Sequence, residues 1–231
     1  MSISITPERF AQGRTFEEYL DYLGTPENLA REATDGSKRA DRSKQWRDLY
    51  NALELESYQV EAMRLLAEQP GGPAKVLVIS EDWSSDCRRD VPMFARLAEA
   101  GGLEMRVFDR DGAKFSDTTA PTDSPNADIM SQLLNAKAHG TFQSIPVAAF
   151  FTQDFEYLYH YTEYPAIYHK DRVVYGHIRV PRAGESAADT SARIDKEFGA
   201  LQQSPFFRIW ASAGAEEIIS ALHRKLLIGA V

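Results

Sequence analysis

The residues best placed to do chemistry lie in one short run, Trp83-Ser84-Ser85-Asp86-Cys87-Arg88-Arg89. Cys87 is the only cysteine in the chain, so it has no internal disulfide partner, and any chemistry it does is that of a single thiol. The thiolate is the reactive form, and the first turn of a helix favours it through the helix dipole and unpaired amide groups. Arg88 and Arg89 would add to that effect, and Asp86 would oppose it. A mixed disulfide at Cys87 could be released only by an external thiol such as glutathione. The opposite reading rests on spacing. Cys87, Val91, Phe94 and Ala98 share one helical face, and a cysteine on a buried face behaves as a small hydrophobe.

The flanking sequence positions this run. Val76-Leu77-Val78-Ile79 is an apolar stretch that stops at polar residues, as a buried parallel strand does where it leaves a sheet. Ser84-Ser85-Asp86 is a helix-start signature. The pattern is strand, tight turn and helix, with Cys87 in the first turn. Glu81 and Asp82 follow the strand and are expected in solvent.

Upstream, Thr15 caps a short amphipathic helix over 15–31 that is interrupted near Gly24-Thr25-Pro26. A polar connection runs from Ala33 to Arg42, and residues 37–47 are locally basic, read as a solvated helix entry. A long helix follows over about 43–69, with a gap in its apolar spacing around Glu56 and Ser57, and it stops at Pro70-Gly71-Gly72-Pro73. Downstream, Gly101-Gly102 turns into a strand over Leu103–Asp109. A loop over 113–125, a helix from Ser124-Pro125 to about Ala138 closed by Gly140, and a hairpin (Pro146 onward, then Phe155–Thr162) come next. His139 would end that helix. Val173-Val174-Tyr175 and Ile178-Arg179-Val180 suggest extended structure. Helices are expected at about 186–203 and 214–228, with Phe206, Phe207, Ile209 and Trp210 between them either docking the tail on the core or forming a homodimer contact.

This order of elements, with Trp83-Ser84-Ser85-Asp86-Cys87, Pro92 five residues later and Ser144-Ile145-Pro146 opening a strand, resembles the thioredoxin superfamily, whose turn reads Trp-Cys-x-x-Cys and whose later proline is cis. It is most similar to a bacterial thioredoxin-like branch whose motif often reads Trp-Cys-Gly-Asp-Ala. That branch keeps the first cysteine and loses the second; here Ser84 replaces the first and Cys87 keeps the second. The resemblance implies an α/β thioredoxin-like fold with helical additions at both ends: a core of about 75–165, an N-terminal extension of 1–72 and a mainly helical C-terminal one of 166–231. It implies Cys87 and Ser84 as the catalytic positions, and Trp83, Ser85, Asp86, Ile145 and Pro146 as a groove for an extended substrate. Val78 stands where dithiol members carry a buried acid. The implied role is monothiol redox or thiol and peptide binding without dithiol turnover, with a protein thiol, a peptide or glutathione as partner. A non-catalytic adaptor is the alternative. A thiol peroxidase is the third reading, but its motif wants a proline where Ser80 stands.

Composition closes off other classes. With 43% hydrophobic residues the 231-residue chain can bury a core, and no apolar run is long enough to span a membrane. A net charge of −8 argues against nucleic acid as a partner. His139, His160, His169, His177 and His223 match no zinc spacing, Asp109-Arg110-Asp111-Gly112 reads as a turn, and no cofactor is expected. Met1–Glu8 lacks a signal-peptide pattern, which makes the cytoplasm the expected compartment.

Overall fold

The computed structural model describes residues 3–34, 36–116, 124–168 and 176–228. At its centre is β1 (Lys75–Ser80), every residue of which is buried, as its run of Val, Leu, Val and Ile requires. β2 (Glu104–Asp109) pairs with it in parallel, Val78 opposite Val107, and the two are joined through α6 (Ser85–Gly101). Gly102 ends α6 with φ 65°, a left-handed cap suited to glycine.

The remaining strands are antiparallel. β5 (Val147–Phe151) lies against the other edge of β1, with β6 (Tyr157–Thr162) beyond it, so the sheet runs β2-β1-β5-β6. This is a mixed α/β sheet with the apolar core on α6 and the central strands.

Helices of both extensions complete the core. α1 (Pro7–Phe10), α2 (Phe16–Leu23) and α3 (Pro26–Leu29) come first, and Thr15 closes a capping box with Glu18 at the start of α2. Between α1 and α2, Arg14 exchanges backbone hydrogen bonds of 3.0 and 2.7 Å with Val107, capping the free edge of β2 with a single bridge. Gly13 permits that approach, because a Cβ there would sit 2.6 Å from the Phe108 ring.

Several expectations change on inspection. The helix predicted over 43–69 is two helices, α4 (Ser43–Ala52) and α5 (Ser57–Ala67), and Glu56 with Gln59 forms the capping box that restarts the second. The gap around Glu56 and Ser57 is that break. The helix expected from Ser124 to Ala138 is only one turn, α7 (Ala127–Met130). A small hairpin, β3 (Asn135–Lys137) and β4 (Gly140–Phe142), then places His139 in a turn rather than at a helix end. Gly140, with φ 140°, opens β4 instead of capping a helix.

At the tail, α8 (Ala187–Gln202) starts on Ser186 as predicted. The second helix, however, begins well before 214: α9 (Pro205–His223) includes Phe206, Phe207, Ile209 and Trp210. Its inner face packs on α6 and β6. Ile178 and Arg179 lie in a short 3-10 turn, Gly176–Arg179, not a strand. Val173, Val174 and Tyr175 lie outside the described residues, as do His169 and much of the 113–125 loop.

The largest correction concerns charge. Glu81 and Asp82 are not in solvent; they are 0% and 1% exposed. Arg39 comes from the stretch expected to be solvated, yet it is buried too. Its Nη1 lies 2.5 Å from Glu81 Oε2 and 2.6 Å from Asp82 Oδ1. Arg31 Nη2 donates to Glu81 Oε1 at 2.9 Å and to the Asp111 carbonyl at 2.6 Å. Asn28, fully buried, donates to Asp82 and accepts from both arginines. The loop after α3 is thereby pinned to the carboxyl ends of β1 and β2.

Burial pushes Glu81 up to about 8, with Arg31 the main opposing influence. A carboxyl raised in the fold binds a proton that the unfolded chain gives up, so its contribution to stability is present below the ordinary range and lost as pH rises towards 8. Arg39→Met removes one of the two countercharges and should cost about 3–5 kcal/mol. Urea denaturation should show the larger loss at pH 8 and a smaller one at pH 5, where Glu81 can take a proton. A variant as stable as wild type at pH 8 would contradict this.

Candidate functional site

The site is built on the turn between β1 and α6. Ser84 caps α6, its Oγ accepting the Cys87 amide at 3.3 Å, so Cys87 sits in the first helical turn as its spacing implies. Arg88 Nη1 donates to the carbonyls of Asp82 and Trp83, at 3.1 and 3.2 Å, and holds the turn closed. Trp83 is oriented by a 3.1 Å hydrogen bond from its indole to Asp111 Oδ2 and by an edge contact with Phe115.

Cys87 itself is 0% exposed. Burial pushes its thiol up to about 12, against the smaller pull of hydrogen bonds from the Ser84 hydroxyl, the Glu81 amide and the Ser80 hydroxyl. Ser80 also accepts the Tyr19 hydroxyl at 3.0 Å, which closes the sulfur's surroundings on the sheet side.

The arginines expected to activate the thiol are engaged elsewhere. Arg88 is fixed on the turn carbonyls, and burial together with Arg42 lowers it to about 10. Arg89 grips Asp90 through Nε and Nη2 at 2.6 and 2.5 Å, meets Asp86 at 2.9 Å and donates to the Glu163 carbonyl. It also lies over the rings of Tyr168 and Phe207, at 5.3 and 5.7 Å, so it ties α6 to the C-terminal extension. Asp90 is raised to about 6 by burial, with Arg89 opposing, and accepts the Tyr161 hydroxyl at 3.0 Å.

Across from the turn, the Ile145–Pro146 peptide is cis, and the Pro146 carbonyl accepts the Glu163 amide at 2.7 Å. Between this corner and the Trp83 turn lies a cleft of about 300 Å³. Trp83, Ser84, Asp86 and Ile145 line it. Of the other residues predicted for the site, Ser85 is half-buried at the start of α6, and Cys87 and Pro146 are buried behind the wall. Sequence reading missed the remainder of the lining, chiefly Arg110, Ser116, Lys137 and Glu163. One signal was available. Glu81-Asp82 and Arg110-Asp111 each follow a strand of the sheet, and side chains at the carboxyl ends of adjacent parallel strands meet.

Among the described residues, no group of His, Cys, Asp and Glu is arranged to hold a metal ion, and no helix is long and apolar enough to cross a membrane.

A family model described as thioredoxin matches residues 30–174, well over half of the chain. Among solved structures, a protein of unknown function from Pseudomonas aeruginosa, PA1234, is similar at 13% identity. The match covers 96% of this chain and 99% of that one with a TM-score of 0.54, a likeness of fold. An HIV epitope-scaffold matches at 12% identity over 96% of each chain, with a TM-score of 0.47. No curated protein matches the chain.

With the thiol near 12, about one molecule in ten thousand carries a thiolate at pH 8. Native Cys87 should therefore resist iodoacetamide from pH 7 to 9. In denaturant it should react as an ordinary thiol of pKa about 8.5. Fast native alkylation with a midpoint near or below 7 would show an open, activated cysteine.

Proposed function

The chain belongs to the thioredoxin family, and from that premise we propose that it is a peptide-binding member that works without dithiol turnover. An extended segment of a partner lies in the cleft between Trp83 and Ile145. The observation that carries this reading is that the cleft is present while the thiol is sealed behind it. Ser84 faces the position where dithiol relatives present their nucleophile, and Cys87 contributes nothing to the lining.

Two further features support it. Among the described residues the Ile145 backbone has no hydrogen-bond partner, so its amide and carbonyl are open to an extended chain laid alongside. Phe115, Phe142 and the Trp83 ring give that chain apolar surface beside the polar turn. The monothiol alternative would have the Cys87 sulfur attack a disulfide, which needs both exposure and thiolate, and burial opposes each.

The reading is tested by screening a library of blocked extended peptides and measuring the affinity of selected binders by fluorescence anisotropy. Cys87→Ala should leave the dissociation constant within about twofold, since the sulfur touches no ligand, whereas Ser144→Phe, which fills the cleft, should weaken binding about tenfold or more. Loss of binding in Cys87→Ala would favour the thiol reading.

Wild type should not catalyse insulin reduction by dithiothreitol. Ser84→Cys should do so weakly, because Val78, fully buried, supplies no carboxylate to deprotonate Cys87 when it must attack the mixed disulfide. Wild-type turnover at the rate of a dithiol reductase would overturn this account.

A further inference from the structure

The cleft has an excess of hydrogen-bond donors at one end. Arg110 is 6% exposed; its Nε donates to Asp111 Oδ1 at 2.7 Å and its Nη1 to the Gln143 carbonyl at 3.1 Å. The third nitrogen, Nη2, is buried with no hydrogen-bond partner among the described residues. A guanidinium nitrogen can only donate, and one left unmatched away from water is costly.

Asp111 does not neutralise Arg110 alone. The same carboxylate accepts the Trp83 indole and the Ser116 amide, and lies 3.8 Å from Arg39. Three hydroxyls on the wall are used as acceptors: Ser84 from the Cys87 amide, Ser116 from Gln143 Nε2 and Ser144 from Asn135 Nδ2. Ser116 and Ser144 keep their own protons to donate, while that of Ser84 is directed to the Cys87 sulfur. The wall's two carboxylates already have cations, Glu163 on Lys137 at 2.6 Å and Asp86 on Arg89 at 2.9 Å. Trp83 and Phe115 flank the Arg110 guanidinium at 5.1 and 5.2 Å and keep its surroundings apolar, which strengthens a charge-assisted bond there.

We propose that the Arg110 end of the cleft seats a carboxylate of the bound peptide, with Arg110 and the neighbouring serine hydroxyls as its donors. The proposal rests on the peptide-binding reading and names the chemistry that the cleft selects. A peptide carboxylate supplies two acceptor oxygens, the groups that an unmatched guanidinium nitrogen and free hydroxyl protons require. It can come from a glutamate side chain or from a chain terminus.

The test uses the full chain at low salt and pH 7 with two pairs of labelled extended pentapeptides. One pair, blocked at both ends, differs only in a central glutamate or glutamine; the other, with central glutamine, differs only in a free or amidated C-terminus. The acidic member of at least one pair should bind about tenfold more tightly than its neutral twin, and which pair shows the preference identifies the source of the carboxylate.

Arg110→Gln should abolish that preference, whatever its effect on the neutral peptide, whereas Lys137→Gln, on the cleft's rim, should keep most of it. If Arg110→Gln does not fold, the native protein still decides. The preference must then disappear as pH falls through the peptide carboxyl's range, about 4.3 for glutamate and about 3.5 for a chain terminus, while the neutral twin stays bound. Equal binding within both pairs, or a preference that survives in folded Arg110→Gln, overturns the carboxylate seat and leaves the peptide cleft standing. Failure of all four peptides, together with an empty library screen, removes the peptide-binding reading and this proposal with it.

Discussion

Glu81 and Asp82 leave water at the carboxyl end of β1, and everything around the turn depends on the arginines that follow them in. Isolated buried carboxylates would be untenable; with Arg31, Arg39 and Asn28 around them they form a network in which each charge meets an opposite one at 2.5–2.9 Å. The N-terminal extension is therefore more than a cover for the sheet. It supplies the countercharges that let the chain turn at residues 81–83, and that turn sets the direction of Trp83 and the start of α6. Asp111, at the end of β2, extends the same network to the Trp83 indole and the Arg110 guanidinium, so the cleft wall and the buried charges are one construction.

Two effects compete at Cys87, and their sizes decide the outcome. A helix terminus is worth about 0.3–1 kcal/mol to a nearby favourable charge. Burial lifts the thiol from 9 to about 12, an effect on the order of 4 kcal/mol, which the helix terminus and three hydrogen bonds do not reverse. The same turn geometry that would activate an exposed thiol at position 84 leaves the one at position 87 as part of the core. Serine at 84 keeps the capping bond that orders α6. What lines the cleft instead is Ile145, the aromatic faces of Trp83 and Phe115, and the donor-rich end at Arg110.

Local rules made much of this legible. The apolar run of β1, the Ser84 cap and the β5–β6 hairpin were all readable because each depends on neighbours in sequence. The misreadings have separate causes. Ser124-Pro125 has the chemistry of a helix start, yet the segment that follows pairs with itself as a hairpin over β3 and β4, a tertiary preference that overrides propensity. Phe206–Trp210 looked like a hydrophobic knot between helices because its inward and outward residues mix. Phe207 and Trp210 face the core while Phe206 and Ile209 remain exposed on the same helix. Glu81 and Asp82 looked solvated because their partners lie some fifty residues away in the chain. The site followed the same division: Trp83, Ser84, Asp86 and Ile145 were found by motif, whereas Arg110, Ser116, Lys137 and Glu163 reach the cleft only through the fold.

The central claim is that this turn recognises its partner with the cleft and not with the thiol, and amide and indole chemical shifts in a peptide complex test it most directly. With a bound extended peptide, the largest shifts should fall on the Trp83 indole, the Ser144 and Ile145 amides and Ser116, while the Cys87 Cβ carbon keeps the shift of a free, protonated thiol. Shifts concentrated away from these residues, or a Cys87 Cβ moved to the range of a disulfide, would contradict it.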